Sequence, residues 1–186
     1  GSDREPKRDS PKPGVSHGRH TGLPTKMQQN PHFFDLLSEF NAGRVRYLVV
    51  GAHVLSYYGR PRTTGDLDLW VEPTRRNAER VFRALASFGA PLEGISPVDF
   101  WTLGTIFQIG VVPSRIDILT SLTEVTFATA WKNRRQAHYG GLPICLLAER
   151  DFIRNKRAVG RTRDLADAEE VEKLLTEKAK RGNRSR

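Results

Sequence analysis

The sequence has a single cysteine, Cys145, and this scarcity excludes a fold that depends on a framework of disulfide bonds. It has no apolar run long enough to cross a bilayer or to form the core of a signal peptide. Its five histidines are scattered along the chain, and no zinc-binding pattern or internal repeat is visible. We therefore expect a cytoplasmic protein with one domain and no membrane partner.

Acidic residues are few at the two ends of the chain, and this imbalance accounts for most of the net charge of +9. Residues 1–30 have a net charge of +3, residues 178–186 have +5, and residues 31–177 are left with +1. The first segment is rich in proline and poor in apolar residues, so we expect a disordered basic tail. Residues 178–186 form a second basic tail in this interpretation. Both tails serve either as solubilising extensions or as RNA contacts.

Between the tails, the hydrophobic pattern alternates between helical and strand-like spacing. The last predicted helix has an apolar stripe of Leu165, Ala168, Val171 and Leu175, which we expect to face inward. The first predicted helix begins at residue 31 and ends at residues 41–43. Further predicted helices cover residues 52–58, 75–88, 125–131, 147–159 and 162–178. Predicted strands cover residues 47–50, 66–71, 105–109, 115–119, 135–139 and 142–145.

Two acidic residues, Asp66 and Asp68, lie two positions apart on a predicted strand. Residues at that spacing project from the same face, so the two carboxylates are side by side while Leu67 and Leu69 face the core. Neighbouring carboxylates repel each other, and a cation compensates for this repulsion. Magnesium is suited to the position because it prefers oxygen ligands and is completed by substrate phosphates.

A third carboxylate, Asp117, is flanked by Ile116 and Ile118 on another predicted strand. If that strand is a neighbour of the first, Asp66, Asp68 and Asp117 converge, and we call these three residues the acidic trio. Three converging carboxylates suit a two-metal site for phosphoryl transfer. The alternative for Asp117 is an ordinary surface ion pair with Arg115, two residues away on the same face.

Three sequence blocks together resemble the nucleotidyltransferase superfamily of the polymerase-β-like kind. The first two are VGAH at positions 50–53 and RTTGDLDL at positions 62–69, in which a glycine opens a short helix and an Asp-x-Asp strand follows. The third is NKRAVGRTRDLAD at positions 155–167. This block resembles the C-terminal helices of minimal nucleotidyltransferases related to the AbiEii-type toxins of toxin–antitoxin systems.

The resemblance implies an α/β (α+β) fold, in which a mixed β-sheet has flanking helices and ends in a C-terminal helical segment within residues 31–177. It also implies a nucleoside triphosphate as donor and Mg²⁺ (or Mn²⁺) as cofactor, held by the acidic trio. Many relatives have serine where this chain has Ala52. Here the backbone N–H groups around Gly51 and Ala52 would have to hold the triphosphate.

Several other side chains are candidates for contacts with the triphosphate, because the leaving pyrophosphate needs positive charge. Lys156 is the first choice as a catalytic and phosphate-binding residue, with Asp164 ahead of Asp167 as its partner. Arg163 is a further candidate, or it pairs with Asp167. Arg62 and Thr64, just before the acidic strand, complete the set, whereas His53 is expected on a helix surface.

The predicted reaction transfers a nucleoside monophosphate to an acceptor hydroxyl. RNA, in particular the tRNA 3′ end, is the favoured acceptor, with the chain acting as a toxin that has a cognate antitoxin partner. A small molecule or a protein hydroxyl is the alternative acceptor. A third hypothesis is a weakly active antitoxin or binding partner that keeps the fold, which the absence of serine at Ala52 favours.

Overall fold

The computed structural model describes residues 30–60 and 64–183. The expectations for residues 1–29, Arg62 and residues 184–186 lie outside these ranges. The helices are α1 (Pro31–Ala42), α2 (Ala52–Tyr57), α3 (Arg75–Phe88), α4 (Phe127–Asn133), α5 (Glu149–Val159) and α6 (Thr162–Asn183). The strands are β1 (Tyr47–Val50), β2 (Asp66–Val71), β3 (Ile106–Ile109), β4 (Arg115–Leu119), β5 (Arg135–Tyr139) and β6 (Leu142–Leu146).

The strands form one mixed sheet in the order β3-β4-β2-β1-β6-β5. Strand β2 runs parallel to β4 and antiparallel to β1, and β1 runs parallel to β6. The outer pairs, β3 with β4 and β5 with β6, are antiparallel. The predicted mixed sheet with flanking helices and a C-terminal helical segment is therefore confirmed.

Helices cover both faces of the sheet, and the alternation of side chains decides which face each strand residue joins. On one face, Leu67 and Leu69 pack with α1 and α3, through residues such as Phe40 and Val81. On the other face, Trp70 packs in a second apolar cluster that includes Phe152 of α5. Since Asp66 and Asp68 alternate with the leucines, they lie on this second face, with α2, α4, α5 and α6.

The last helix differs from its prediction in rotation and in length. Leu165 is 42% exposed, whereas Ala168 and Val171 are fully buried, so the predicted inward stripe is wrong at Leu165. The inward face begins instead with Asp164 and Asp167, both of which are buried. Helix α6 also continues past residue 178 to Asn183, so positions 178–183 are helical.

Among residues 30–60 and 64–183, every helix is too short or too polar to span a bilayer.

Candidate active site

The parallel pairing of β2 with β4 brings the acidic trio together. In the register of these strands, Asp66 lies opposite Arg115 and Asp68 lies opposite Asp117. Partners in adjacent strands project to the same side of a sheet, so all three carboxylates lie on one face. The sequence alone does not show whether these two strands are neighbours, and the structure places them side by side.

Gly51 allows the carboxylate of Asp68 to lie directly against the start of α2. A Cβ atom added to Gly51 would lie 2.0 Å from Oδ2 of Asp68, well inside any normal contact distance. The backbone of Gly51 also has φ +68° and ψ −150°, a conformation available essentially to glycine only. Both the space and the dihedral angles therefore require glycine at this position.

Arg115 and Gln108, which lie outside the sequence motifs, contact two members of the trio, Asp66 and Asp117. Arg115 Nη2 lies 2.7 Å from Oδ2 of Asp66 and 3.4 Å from Oδ2 of Asp117. Gln108 Nε2 donates a hydrogen bond of 3.0 Å to Oδ1 of Asp117 from the neighbouring strand β3. The ion pair of Arg115 with Asp117, considered as the alternative explanation of that acid, is present. It is part of a bridge that also includes Asp66.

The arrangement disfavours the ionised form of Asp68. Burial, followed by the charges of Asp117 and Asp66, raises the pKa of its carboxyl to about 6, although the charges of Lys156 and Arg115 oppose this effect. In addition, Oδ1 of Asp66 is buried and has no hydrogen-bond partner among the described residues. Both features are those of a carboxylate group that a cation would stabilise.

The donor set of the acidic trio fits a hard divalent ion, since it consists of carboxylate oxygens. However, no three His, Cys, Asp or Glu side chains of the described ranges are placed as a ready-made metal cluster. The guanidinium of Arg115 lies between Asp66 and Asp117, so an ion binding there would have to displace this group. The assignment of the acidic trio as metal ligands stays a prediction.

Lys156 lies on the inner side of α5 and contacts two buried acids of α6. Its Nζ is 2.6 Å from Oδ1 of Asp164 and 3.2 Å from Oδ2 of Asp167. Its charge lowers the pKa of Asp68, which places Lys156 on the side of the acidic trio. Asp164 and Asp167 thus anchor this lysine, with Asp164 at the shorter distance. Its phosphate-binding role stays a prediction.

The remaining sequence candidates are dispersed. Ala52 begins α2 beside Gly51, and the hydroxyl of Thr64 is hydrogen-bonded to the backbone of Asp66, which fixes the entry to β2. Arg163 is exposed in the first turn of α6. The expectation that His53 lies on the surface is wrong, because it is 7% exposed and packs edge-on against Phe33.

His53 lies close to the backbone of Asp66, a member of the acidic trio. Burial lowers the pKa of its imidazole, and a hydrogen bond with the backbone of Asp66 and the charge of that residue act in the opposite direction. Because α2 packs against β2, the side chain is turned inward, which the short helical pattern around residue 53 did not indicate.

Comparisons with known proteins add a fold-level observation. No protein-family model matches the chain, and no curated protein sequence matches it either. The crystal structure of a protein from Thermotoga maritima, described as a candidate nucleotidyltransferase, is similar with a TM-score of 0.49. The two chains are 14% identical, and the similarity covers 78% of this chain and 91% of the other. At that level, the similarity carries no information about activity.

Proposed function

We propose that this protein is a metal-dependent nucleotidyltransferase that transfers a nucleoside monophosphate from a nucleoside triphosphate to an acceptor hydroxyl. The observation that supports it most strongly is the placement of the acidic trio on one face of two parallel strands. Asp68 is buried beside two like charges that raise its pKa, and a bound cation would stabilise its ionised form.

In this proposal each group has a separate task. The acidic trio would hold Mg²⁺ or Mn²⁺, and the ion would supply positive charge to the phosphates and favour ionisation of the attacking hydroxyl. Gly51 and Ala52 offer backbone N–H groups to the triphosphate. Lys156 provides a positive charge for the leaving pyrophosphate, and Asp164 and Asp167 hold that lysine in position.

The reaction balances with these groups alone and the two substrates. The acceptor oxygen forms a bond to the α-phosphorus of the triphosphate, and the bond from that phosphorus to the β-phosphate oxygen breaks. Pyrophosphate leaves with the electron pair of the broken bond. The proton of the acceptor hydroxyl passes to a carboxylate of the acidic trio.

For the acceptor we propose RNA, in particular the tRNA 3′ end, with the chain acting as a toxin opposed by a cognate antitoxin. The resemblance of residues 155–167 to AbiEii-type toxins supports this finer assignment. Incubation with labelled nucleoside triphosphates, Mg²⁺, cellular RNA and cellular protein tests it. We expect label in the RNA fraction. Label in protein or in a small molecule would contradict the RNA assignment, and no label in any fraction would contradict the transferase itself.

A further inference from the structure

We propose that the outer side of α5 and the α5–α6 turn form a docking surface for the phosphate backbone of single-stranded RNA. We call this surface the arginine face and define it as Arg150, Arg154, Arg157, Arg161 and Arg163. The inference rests on the proposed function and adds the surface that presents the acceptor to the acidic trio.

The arginine face is uniformly basic. All five arginines are exposed, and the one acid between positions 150 and 163 is Asp151, which is buried. Asp151 accepts a hydrogen bond of 3.0 Å from Nδ2 of Asn133 and so faces away from this surface. The exposed side chains of this segment therefore include five positive charges and no negative charge.

Ion pairing within the protein neutralises little of this charge. Arg157 pairs with Glu172 of α6 at 2.8 Å, and Glu172 is itself partly exposed. For the other four arginines, the described ranges contain no carboxylate within ion-pair distance. Like charges crowded on one surface repel one another, and a polyanion relieves this repulsion. Arginine also binds phosphate in a bidentate manner, which lysine does not.

The geometry of the arginine face suits an extended strand. Arg150 and Arg154 are four residues apart on α5, a rise of about 6 Å at 1.5 Å per residue, and Arg157 follows one turn later. A row of charges along one helix matches the extended phosphate backbone of a single strand.

The arginine face lies next to the candidate active site. Lys156 belongs to the same helix as Arg157 but points inward, where its charge acts on Asp68. Helices α5 and α6 pack on the sheet face that presents the acidic trio, whereas α1 and α3 cover the opposite face. An RNA strand bound along α5 would therefore have its end within reach of the transfer site.

The test compares the variant Arg150→Gln/Arg154→Gln with a matched control, Arg76→Gln/Arg83→Gln. The control pair is exposed on α3, across the sheet, so it removes the same charge from a different surface. The probe is a fluorescently labelled single-stranded RNA of about 20 nucleotides, titrated by anisotropy from about 50 to 200 mM salt. Triphosphate binding in Mg²⁺ is measured on the same proteins.

We expect the α5 variant to bind RNA about tenfold more weakly and the slope of log K against log salt to become shallower by about 1.4. The control should change affinity by less than about twofold, and triphosphate binding should be unchanged in both. Three results would overturn the proposal that the arginine face binds RNA. They are equal losses of RNA affinity in the two variants, an unchanged salt slope in the α5 variant, and no RNA binding by the parent. Failure of the transferase proposal would appear separately, as absent triphosphate binding in Mg²⁺.

A membrane surface is the competing partner for an exposed basic helix. Vesicles containing phosphatidylserine test it on the same variants. Weak vesicle binding that does not depend on Arg150 and Arg154 supports the RNA assignment. Loss of vesicle binding in the α5 variant with unchanged RNA binding would overturn it.

Discussion

At the residue scale, Asp68 is the side chain on which most of the site depends. It is held against the backbone of Gly51, opposite Asp117 and two positions from Asp66. Burial and both neighbouring charges disfavour its ionised form, whereas Lys156 and Arg115 favour it. The protein is therefore less stable than it would be with an uncharged side chain at this position. Such a loss of stability is a common property of functional sites.

Replacement of Asp68 with asparagine should stabilise the protein while abolishing nucleotide transfer. The raised pKa means that the folded state binds more protons than the unfolded state between about pH 4 and 6, so the parent loses stability as the pH rises through this window. In EDTA, the advantage of Asp68→Asn should be near zero at pH 4 and about 3 kcal/mol at pH 7.5. Urea unfolding at both pH values measures it. A variant that is less stable than the parent at pH 7.5 would contradict this account.

Replacement of Gly51 with alanine should strongly destabilise the protein. The backbone dihedral angles alone would cost about 1–3 kcal/mol, and the new methyl group would also clash with the carboxylate of Asp68. Adding Asp68→Ala to Gly51→Ala should relieve the clash with the carboxylate and so recover part of the lost unfolding free energy. It should not relieve the dihedral strain. Equal unfolding free energies for the single and double variants would show that the close approach of Gly51 and Asp68 is wrong.

At the element scale, the sequence predicts most helices and strands because their hydrophobic periods are clear and glycines end several of them. It does not predict that β4 lies beside β2, since strand order depends on contacts between distant segments. The sequence therefore predicts the pairing of Arg115 with Asp117 within one strand, but not the contact of Arg115 with Asp66 or that of Gln108 with Asp117. The predicted orientation of α6 about its axis is also wrong at the start of the helix. Asp164 and Asp167 face inward towards Lys156, and a prediction from apolar residues alone does not include buried acids.

The rotation of α6 predicts different outcomes for two apolar residues of the same helix. Leu165→Gln should change the unfolding free energy by less than about 0.5 kcal/mol, because the side chain is exposed. Val171→Ala removes two buried methyl groups and should cost about 2 kcal/mol. Denaturant unfolding of both variants measures the difference. A larger loss for Leu165→Gln than for Val171→Ala would contradict the observed orientation.

At the scale of the whole molecule, positive charge and the acidic trio are arranged on the same side of the sheet. Most of the net charge belongs to the two ends of the chain. The structure shows a further concentration of positive charge, the arginine face on α5 and the α5–α6 turn. Positions 178–183 continue α6, so Lys178 and Lys180 extend from a helix. The opposite face, covered by α1 and α3, has no role in the proposed reaction.

The central claim is that the acidic trio holds a divalent ion together with a triphosphate. Mn²⁺ binding in the presence of a non-hydrolysable triphosphate, followed by electron paramagnetic resonance, tests it without any assumption about the acceptor. Asp117→Asn should lose at least about tenfold in Mn²⁺ affinity, a change of about 1.4 kcal/mol. Asp35→Asn, an exposed acid on α1 across the sheet, serves as the matched control and should bind like the parent. If Asp117→Asn binds Mn²⁺ and the triphosphate as tightly as the parent does, the acidic trio is not the metal site.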